Sequence, residues 1–268
     1  MGRWISLQNI NNDNIRPIWS DGHSMRSSKA ARGRIRDSAD GASGTALRSE
    51  PMENIKVLYE DNDIIVVNKP AGLATEGGRI GEKDLESEMR NYLAKKKEPP
   101  EIFVVHRLDK PVSGIVVLAK NAGAAAVLSK SLSGDSFSKE YTAVVYKTGP
   151  LQKENELTDY LIKDVKNNVS RVAKSPSEKG AKKAALKYRV ESEDENSAVL
   201  KIRLLTGRHH QIRVQLSNAG FPLLGDRKYG SKESIEYSLS RGIKDVLLTA
   251  CALSFDHPAT GEHMSFTI

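Results

Sequence analysis

The sequence predicts an α+β protein built on a predominantly antiparallel mixed sheet with flanking helices. Two observations carry this. Short apolar runs with period-two alternation follow one another, separated by polar turns only a few residues long. Segments with helical spacing are few and brief, and they sit between those runs instead of alternating regularly with them.

The elements follow in order. "IKVLYEDNDIIVVNKPAG" from Ile55 reads as a strand, a Glu-Asp-Asn-Asp turn, a second strand and a Pro-Ala-Gly stop. "KDLESEMRNYLAKKK" places Leu85, Met89 and Leu93 four apart, the spacing of one helix face. "GIVVLAK" is a buried strand, "AGAAAVLSKSL" a helix and "KEYTAVVY" another strand. The polar stretch 163–183 reads as a basic loop. Next, Leu186, Tyr188 and Val190 alternate with charged residues, and Leu200, Ile202 and Leu204 do the same beyond an acidic turn. This is a hairpin with one wet face bearing Lys187, Arg189, Lys201 and Arg203. Ile212 and Leu216, four apart and followed by Gly220, mark a short helix. "LLTACALSFDHP" and "EHMSFTI" are closing strands. No internal repeat is present.

The chain has 268 residues and a net charge of +7, which favours a polyanionic partner. One cysteine, Cys251, excludes an internal disulfide framework and a multi-cysteine metal site. No apolar run approaches the roughly 18 residues of a membrane span. Residues 1–53 are rich in Ser, Arg, Gly and Ala without apolar periodicity, and are expected to form a disordered basic tail. Asp13, Asp21, Asp37 and Asp40 argue against a transit peptide, and no secretory h-region is present. The expectation is a cytoplasmic protein, with organelle targeting by the tail left open.

Two charged clusters stand out. "FVVHRLDKPVSGIVV" sets His106, Arg107, Asp109 and Lys110 between apolar runs. Asp is a poor strand former and its charge is costly to bury unpaired, so Asp109 is a candidate site residue. A surface aspartate paired in a turn fits the same triplet. "TGRHHQIRVQL" crowds Arg208, His209, His210 and Arg213 at the start of a helix. Adjacent histidines point apart on a helix, and no second ligand cluster is legible, so no metal is expected. No serine-nucleophile elbow or Gly-rich phosphate loop occurs.

Together these segments resemble the RluA-type pseudouridine synthases. "HRLDKPVSG" is similar to that family's HRLDxxTSG signature. "NKPAG", "KEYTAVV", "TGRHHQIRVQL", "GFPLLGDRKYG" and "LTACALSFDHPATGE" match in order over 54–268. Val112 and Gln215 depart from the usual Thr and His. The amino-terminal S4 domain of many relatives has no counterpart. The resemblance implies a catalytic domain at 54–268 that isomerises uridine to pseudouridine in rRNA or tRNA without metal or organic cofactor, acting as a monomer. It implies Asp109 as nucleophile or base, with Arg213 as its paired arginine offering a bidentate fork. It also implies Tyr141 stacking on the target base, and Arg107 filling the gap left by the flipped nucleotide. Arg208 and His209 are expected at phosphate or pocket contacts. Rival readings are a catalytically silent RNA-binding protein on the same fold, and a hydrolase using Asp109. The latter needs a second carboxylate, for which no candidate is expected within these motifs.

Overall fold

The computed structural model describes residues 55–77, 81–132, 134 and 136–268. The tail expected at 1–53 lies outside the described residues, which all fall in one unit, Asn54–Ile268.

Among the described residues eleven strands form one sheet. They are β1 (Lys56–Glu60), β2 (Ile64–Lys69), β3 (Phe103–Val104), β4 (Ser113–Ala119), β5 (Ser138–Tyr146), β6 (Glu154–Asp164), β7 (Val169–Val172), β8 (Lys182–Glu193), β9 (Ser197–Leu204), β10 (Leu248–Asp256) and β11 (His263–Thr267). The spatial order is β1-β2-β4-β10-β5-β9-β8-β6-β7, with β11 on β10 and β3 on β4. Every pairing is antiparallel except β4 with β10. The expected antiparallel α+β sheet is thus observed, with one parallel seam at its centre.

That seam explains a glycine. Ser113 and Gly114 pair with Thr249 and Ala250. Gly114 has φ +122, and a Cβ there would lie 2.3 Å from the Ala250 carbonyl oxygen. Only glycine allows both the backbone angle and the close approach. Ser113 and Gly114 open β4 directly after the turn at Pro111.

The other long edge of β4 is shared. β10 takes the Ser113–Gly114 end and β3 takes Leu118 and Ala119. Between them the Val117 amide donates to His106 Nε2 at 3.1 Å. A side chain here does the work of a missing strand carbonyl. His106 is buried and its pKa falls to about 3 through desolvation, so the ring is neutral and can accept.

Four helices accompany the sheet among the described residues: α1 (Leu85–Lys95), α2 (Ala122–Ser131), α3 (Gln211–Asn218) and α4 (Lys232–Ser240). Asp84, Asn121 and Ser231 cap α1, α2 and α4 through their side chains. Leu85, Met89 and Leu93 of α1 are fully buried, as their spacing requires. α2 buries Ala124 and Leu128 against Ile64, Val66, Ile115 and Val117, a core extended by Phe137, Leu253 and Phe255. A smaller cluster joins Val214 of α3 to Leu161 of β6 and Ala184 of β8, which fixes α3 against the far end of the sheet. No helix among the described residues is long and apolar enough to cross a membrane.

The stretch 163–183 is not a plain loop. It contains β7, which pairs with β6, a strand the alternation did not reveal. β6 carries Glu154, Glu156, Asp159, Lys163 and Asp164, so its pattern is blurred by charge.

Candidate active site

The sheet and α3 enclose a cavity of about 930 Å³, lined by Asp109, Tyr141, His209 and Arg213 among others. Asp109 does not end a strand. It sits in the loop joining β3 to β4, five residues beyond Val104. The loop is nevertheless fixed almost residue by residue. His106 is anchored to Val117. The Leu108 amide donates to Thr75 Oγ1 at 3.1 Å, and Thr75 Oγ1 donates to the Leu108 carbonyl at 2.8 Å. The Asp109 carbonyl accepts from Val112 N at 2.9 Å, closing a turn at Pro111. The Lys110 carbonyl accepts from Gly72 N at 2.8 Å. Lys69, wholly buried, donates to the Pro70 and Leu73 carbonyls at 2.9 and 2.7 Å, so "NKPAG" supports this loop from below. The Asp109 side chain is thereby aimed without a strand beneath it.

Arg213 stands beside Asp109 as expected, but its fork is committed elsewhere. Nε and Nη2 donate to Asp226 at 2.7 and 2.8 Å; only Nη1 reaches Asp109 Oδ2, at 3.3 Å. The expected bidentate clamp on Asp109 is therefore a single contact. Asp226, in "GFPLLGDRKYG", also corrects the expectation that these motifs lack a second carboxylate. It is 1% exposed at its side chain and accepts further from Lys228 N and Tyr229 N. These bonds hold its pKa below the usual range against desolvation, so it stays ionised and cannot act as an acid. Asp226 is legible in the sequence only as part of the motif; its pairing with Arg213 is a tertiary fact.

Asp109 responds to both neighbours. Burial raises its pKa most strongly; Arg213 and Lys69 lower it and Asp226 raises it, leaving it above its ordinary value. The arginine opposes neutralisation but does not overcome desolvation.

His210, to which no role was assigned, lies close to this pair. It occupies a left-handed conformation, φ 53, at the start of α3, with Nε2 3.7 Å from Asp109 Oδ2. Its Nδ1 is 2.7 Å from the Tyr229 hydroxyl, which accepts from Ser170 N at 2.8 Å. Among the described residues the phenol's own proton has His210 Nδ1 as its acceptor. The imidazole proton then sits on Nε2, facing Asp109. Burial and Arg213 bring the His210 pKa to about 3, so the ring is neutral.

The remaining expected residues surround the cavity. Tyr141 on β5 is buried, and desolvation raises its pKa above the ordinary tyrosine range. Arg107 is exposed at the rim, paired with Glu76 at 2.6 Å. Arg208 is exposed and donates to the Lys183 carbonyl at 2.9 Å. His209 stacks on His210 and bonds Ser170 Oγ and Asn168 Oδ1, at 2.8 and 3.0 Å, which ties the β6–β7 hairpin to the cavity wall. All six expected site residues line one cavity. Gln215, one of the two departures, lies outside it and ties α3 to β6 through Asp159 at 2.8 Å.

Away from the cavity, Asp61, Asp63 and His257 bring three metal-capable atoms within 4.8 Å of one another, a cluster that sequence spacing did not show. Their atoms are already engaged. His257 Nε2 lies 2.7 Å from Asp61, and its Nδ1 accepts from Ala259 N and Thr260 N. Asp61 also accepts from Asp63 N, Ile64 N and the Tyr59 hydroxyl. The trio locks the β1–β2 turn to the segment following β10.

A sequence profile described as RNA pseudouridylate synthase matches residues 63–218, more than half of the chain. The chain belongs to this family. It is 34% identical over 209 residues to ribosomal large subunit pseudouridine synthase C of Yersinia pestis, covering 78% of this chain and 63% of that protein. It is 33% identical over 220 residues to ribosomal large subunit pseudouridine synthase D of Vibrio cholerae, covering 79% and 66%. The chain thus spans just under two thirds of the length of these relatives. The solved structure titled human RNA pseudouridylate synthase domain containing 4 has the same fold, with TM-score 0.64 and 23% identity over 80% of this chain and 87% of that one. Both clusters that frame the cavity, at 106–114 and 206–216, lie inside the matched span.

Proposed function

We propose that this chain isomerises uridine to pseudouridine in structured RNA, rRNA or tRNA, with residues 54–268 as the catalytic domain, acting as a monomer. The observation that carries the reading is the Asp109 carboxylate held beside Arg213 at the wall of a cavity large enough for a nucleotide. In the reaction the N1–C1′ bond breaks, uracil turns, C5 bonds to C1′, and a proton leaves C5 while N1 gains one. Attack of the carboxylate on C1′ and removal of the C2′ proton both require ionised Asp109. Arg213 and Lys69 favour that state, and the neutral His210 Nε2–H adds a dipole of the same sense.

A stacked base cannot reach Asp109, so the target nucleotide must leave the helix. Tyr141 is the proposed stacking partner of uracil. Arg107, exposed at the rim, must release Glu76 to fill the space left behind. Arg208 and His209 are proposed contacts to the strand entering the cavity. No step calls on a metal or organic cofactor, and dialysed protein in excess chelator should retain its rate.

Asp109→Asn tests the proposal. It keeps the shape and removes the charge. Pseudouridine formation in large-subunit rRNA and tRNA transcripts should vanish while RNA affinity persists. Activity near wild type would refute the assignment. Retained binding by a wild-type protein that never forms pseudouridine would favour the silent RNA-binding reading.

A further inference from the structure

Tyr141 has a neighbour on its own strand to which no role has been given. Side chains two residues apart on a strand share a face, separated by about 7 Å. Lys139 therefore stands one strand repeat from Tyr141 on β5, and both line the cavity. That separation is of the order between a nucleobase and the phosphates of its own nucleotide.

The charge of Lys139 is unspent. The other restricted cations in or beneath the cavity wall have acceptors: Arg213 in the wall has Asp226 and Asp109, and Lys69, buried beneath it, has two backbone carbonyls at close range. At the rim, Arg107 has Glu76 and Lys110 has Glu82. Lys163 is exposed, so water solvates it. Lys139 is half-buried, and no carboxylate or carbonyl among the described residues bonds its amine. Around it lie the Phe137 ring, 5.4 Å from the amine to the ring centroid, the neutral imidazole of His106, and the bare backbone of Gly207. Gly207 has no side chain to cover the ammonium. Desolvation alone acts on it, and depresses its pKa. A desolvated ammonium with no anion bonded to it is costly unless the ligand brings one.

The geometry points to Lys139 as a phosphate ligand, holding the RNA backbone phosphate next to the target ribose while Tyr141 holds the base. This rests on the proposed function for the placement of the base. An RNA phosphate would restore the charge partner that the fold omits, so Lys139 acts in binding and registering the strand; Asp109 retains the chemistry.

The test uses the full chain with three probes: uridine, uridine 5′-monophosphate and uridine 3′-monophosphate, titrated at matched ionic strength against wild type, Lys139→Met and Lys139→Arg. Wild type should prefer at least one monophosphate over uridine by about tenfold or more, the scale of a hydrogen bond between charged groups. Lys139→Met should lose that preference while binding uridine as wild type does, and Lys139→Arg should keep most of it. The ζ-nitrogen resonance of Lys139 should shift with the preferred monophosphate and not with uridine. A wild-type protein that binds uridine and its monophosphates alike would overturn the proposal. So would an undiminished preference in Lys139→Met, or an equal loss for uridine and the monophosphates, which would assign Lys139 to the base or to cavity shape. Pseudouridine formation by wild type is scored separately. Activity without a Lys139-dependent preference defeats this inference alone, and a Lys139-dependent preference without activity defeats the proposed reaction alone.

Discussion

Arg213 gives two nitrogens to Asp226 and one to Asp109. The pair farther from the cavity is the stronger, so Asp226 orients the guanidinium and the guanidinium orients the proposed nucleophile. Asp226 is a positioning residue.

Arg213→Lys should therefore be far from conservative. An ammonium cannot span both carboxylates in the plane of a fork. A displacement of Asp109 by about 1 Å can cost on the order of a hundredfold in rate. Single-turnover rates at saturating enzyme should fall by about that factor, with RNA affinity little changed. A wild-type rate would show that this contact does not orient Asp109.

Asp226→Asn should destabilise by about 3–5 kcal/mol, because it breaks a buried pair while leaving the arginine charge. Denaturant unfolding measures this. In the surviving folded protein Asp109 loses a repelling neighbour, so its pKa should fall and the acidic limb of the rate profile should move to lower pH. An unmoved limb would mean that Asp226 does not act on Asp109.

The pH dependence of wild type has a definite sign. The folded pKa of Asp109 lies above its unfolded value. Below the unfolded pKa both states hold the proton, and above the folded pKa neither does. Between the two the folded state alone holds it, so Asp109 contributes a loss of stability as pH rises through that window. The rate moves the other way, falling as pH drops through the same folded pKa. Asp226, with its pKa lowered, contributes stability above the unfolded value that is lost as pH falls through the folded one. Comparing the unfolding free energy of wild type and Asp109→Asn across mildly acidic pH isolates the first effect, and opposite slopes would refute it.

Tyr229→Phe removes the hydroxyl that satisfies Ser170 N and fixes the His210 tautomer. The unpaired amide should cost about 1–3 kcal/mol. The single-turnover rate should fall beyond any effect on RNA affinity, because His210 Nε2–H no longer faces Asp109 reliably. A loss of stability with an unchanged rate would confine His210 to a packing role.

Much of this was legible in the sequence, for physical reasons. β8 and β9 have one buried and one wet face, so alternation revealed them. β2 and β4 are buried on both faces and read as apolar runs. β6 was hidden because its half-buried face carries charge, β7 because four residues hold too little periodicity, and α4 because its polar sequence buries only Ser234 and Ser238 fully. The six expected site residues do meet, since their motifs fix local geometry. What the sequence withheld was partnership. The allegiance of Arg213 to Asp226, the use of His106 as a strand carbonyl and the isolation of Lys139 are all set by packing between distant segments.

The parallel seam between β4 and β10 has a consequence in time. Ser113 and Thr249, hydrogen-bonded at 2.9 Å, are 136 residues apart. Leu248, at the start of β10, forms part of the cavity wall. A chain emerging from the ribosome can pair β2 and β3 with β4 early, but the Ser113–Gly114 end of β4 must wait for residues near 250. Such distant pairing slows folding and leaves a strand edge open meanwhile. The cavity is thus completed late in translation: a nascent chain displays its Asp109 loop long before the Leu248 part of the wall exists.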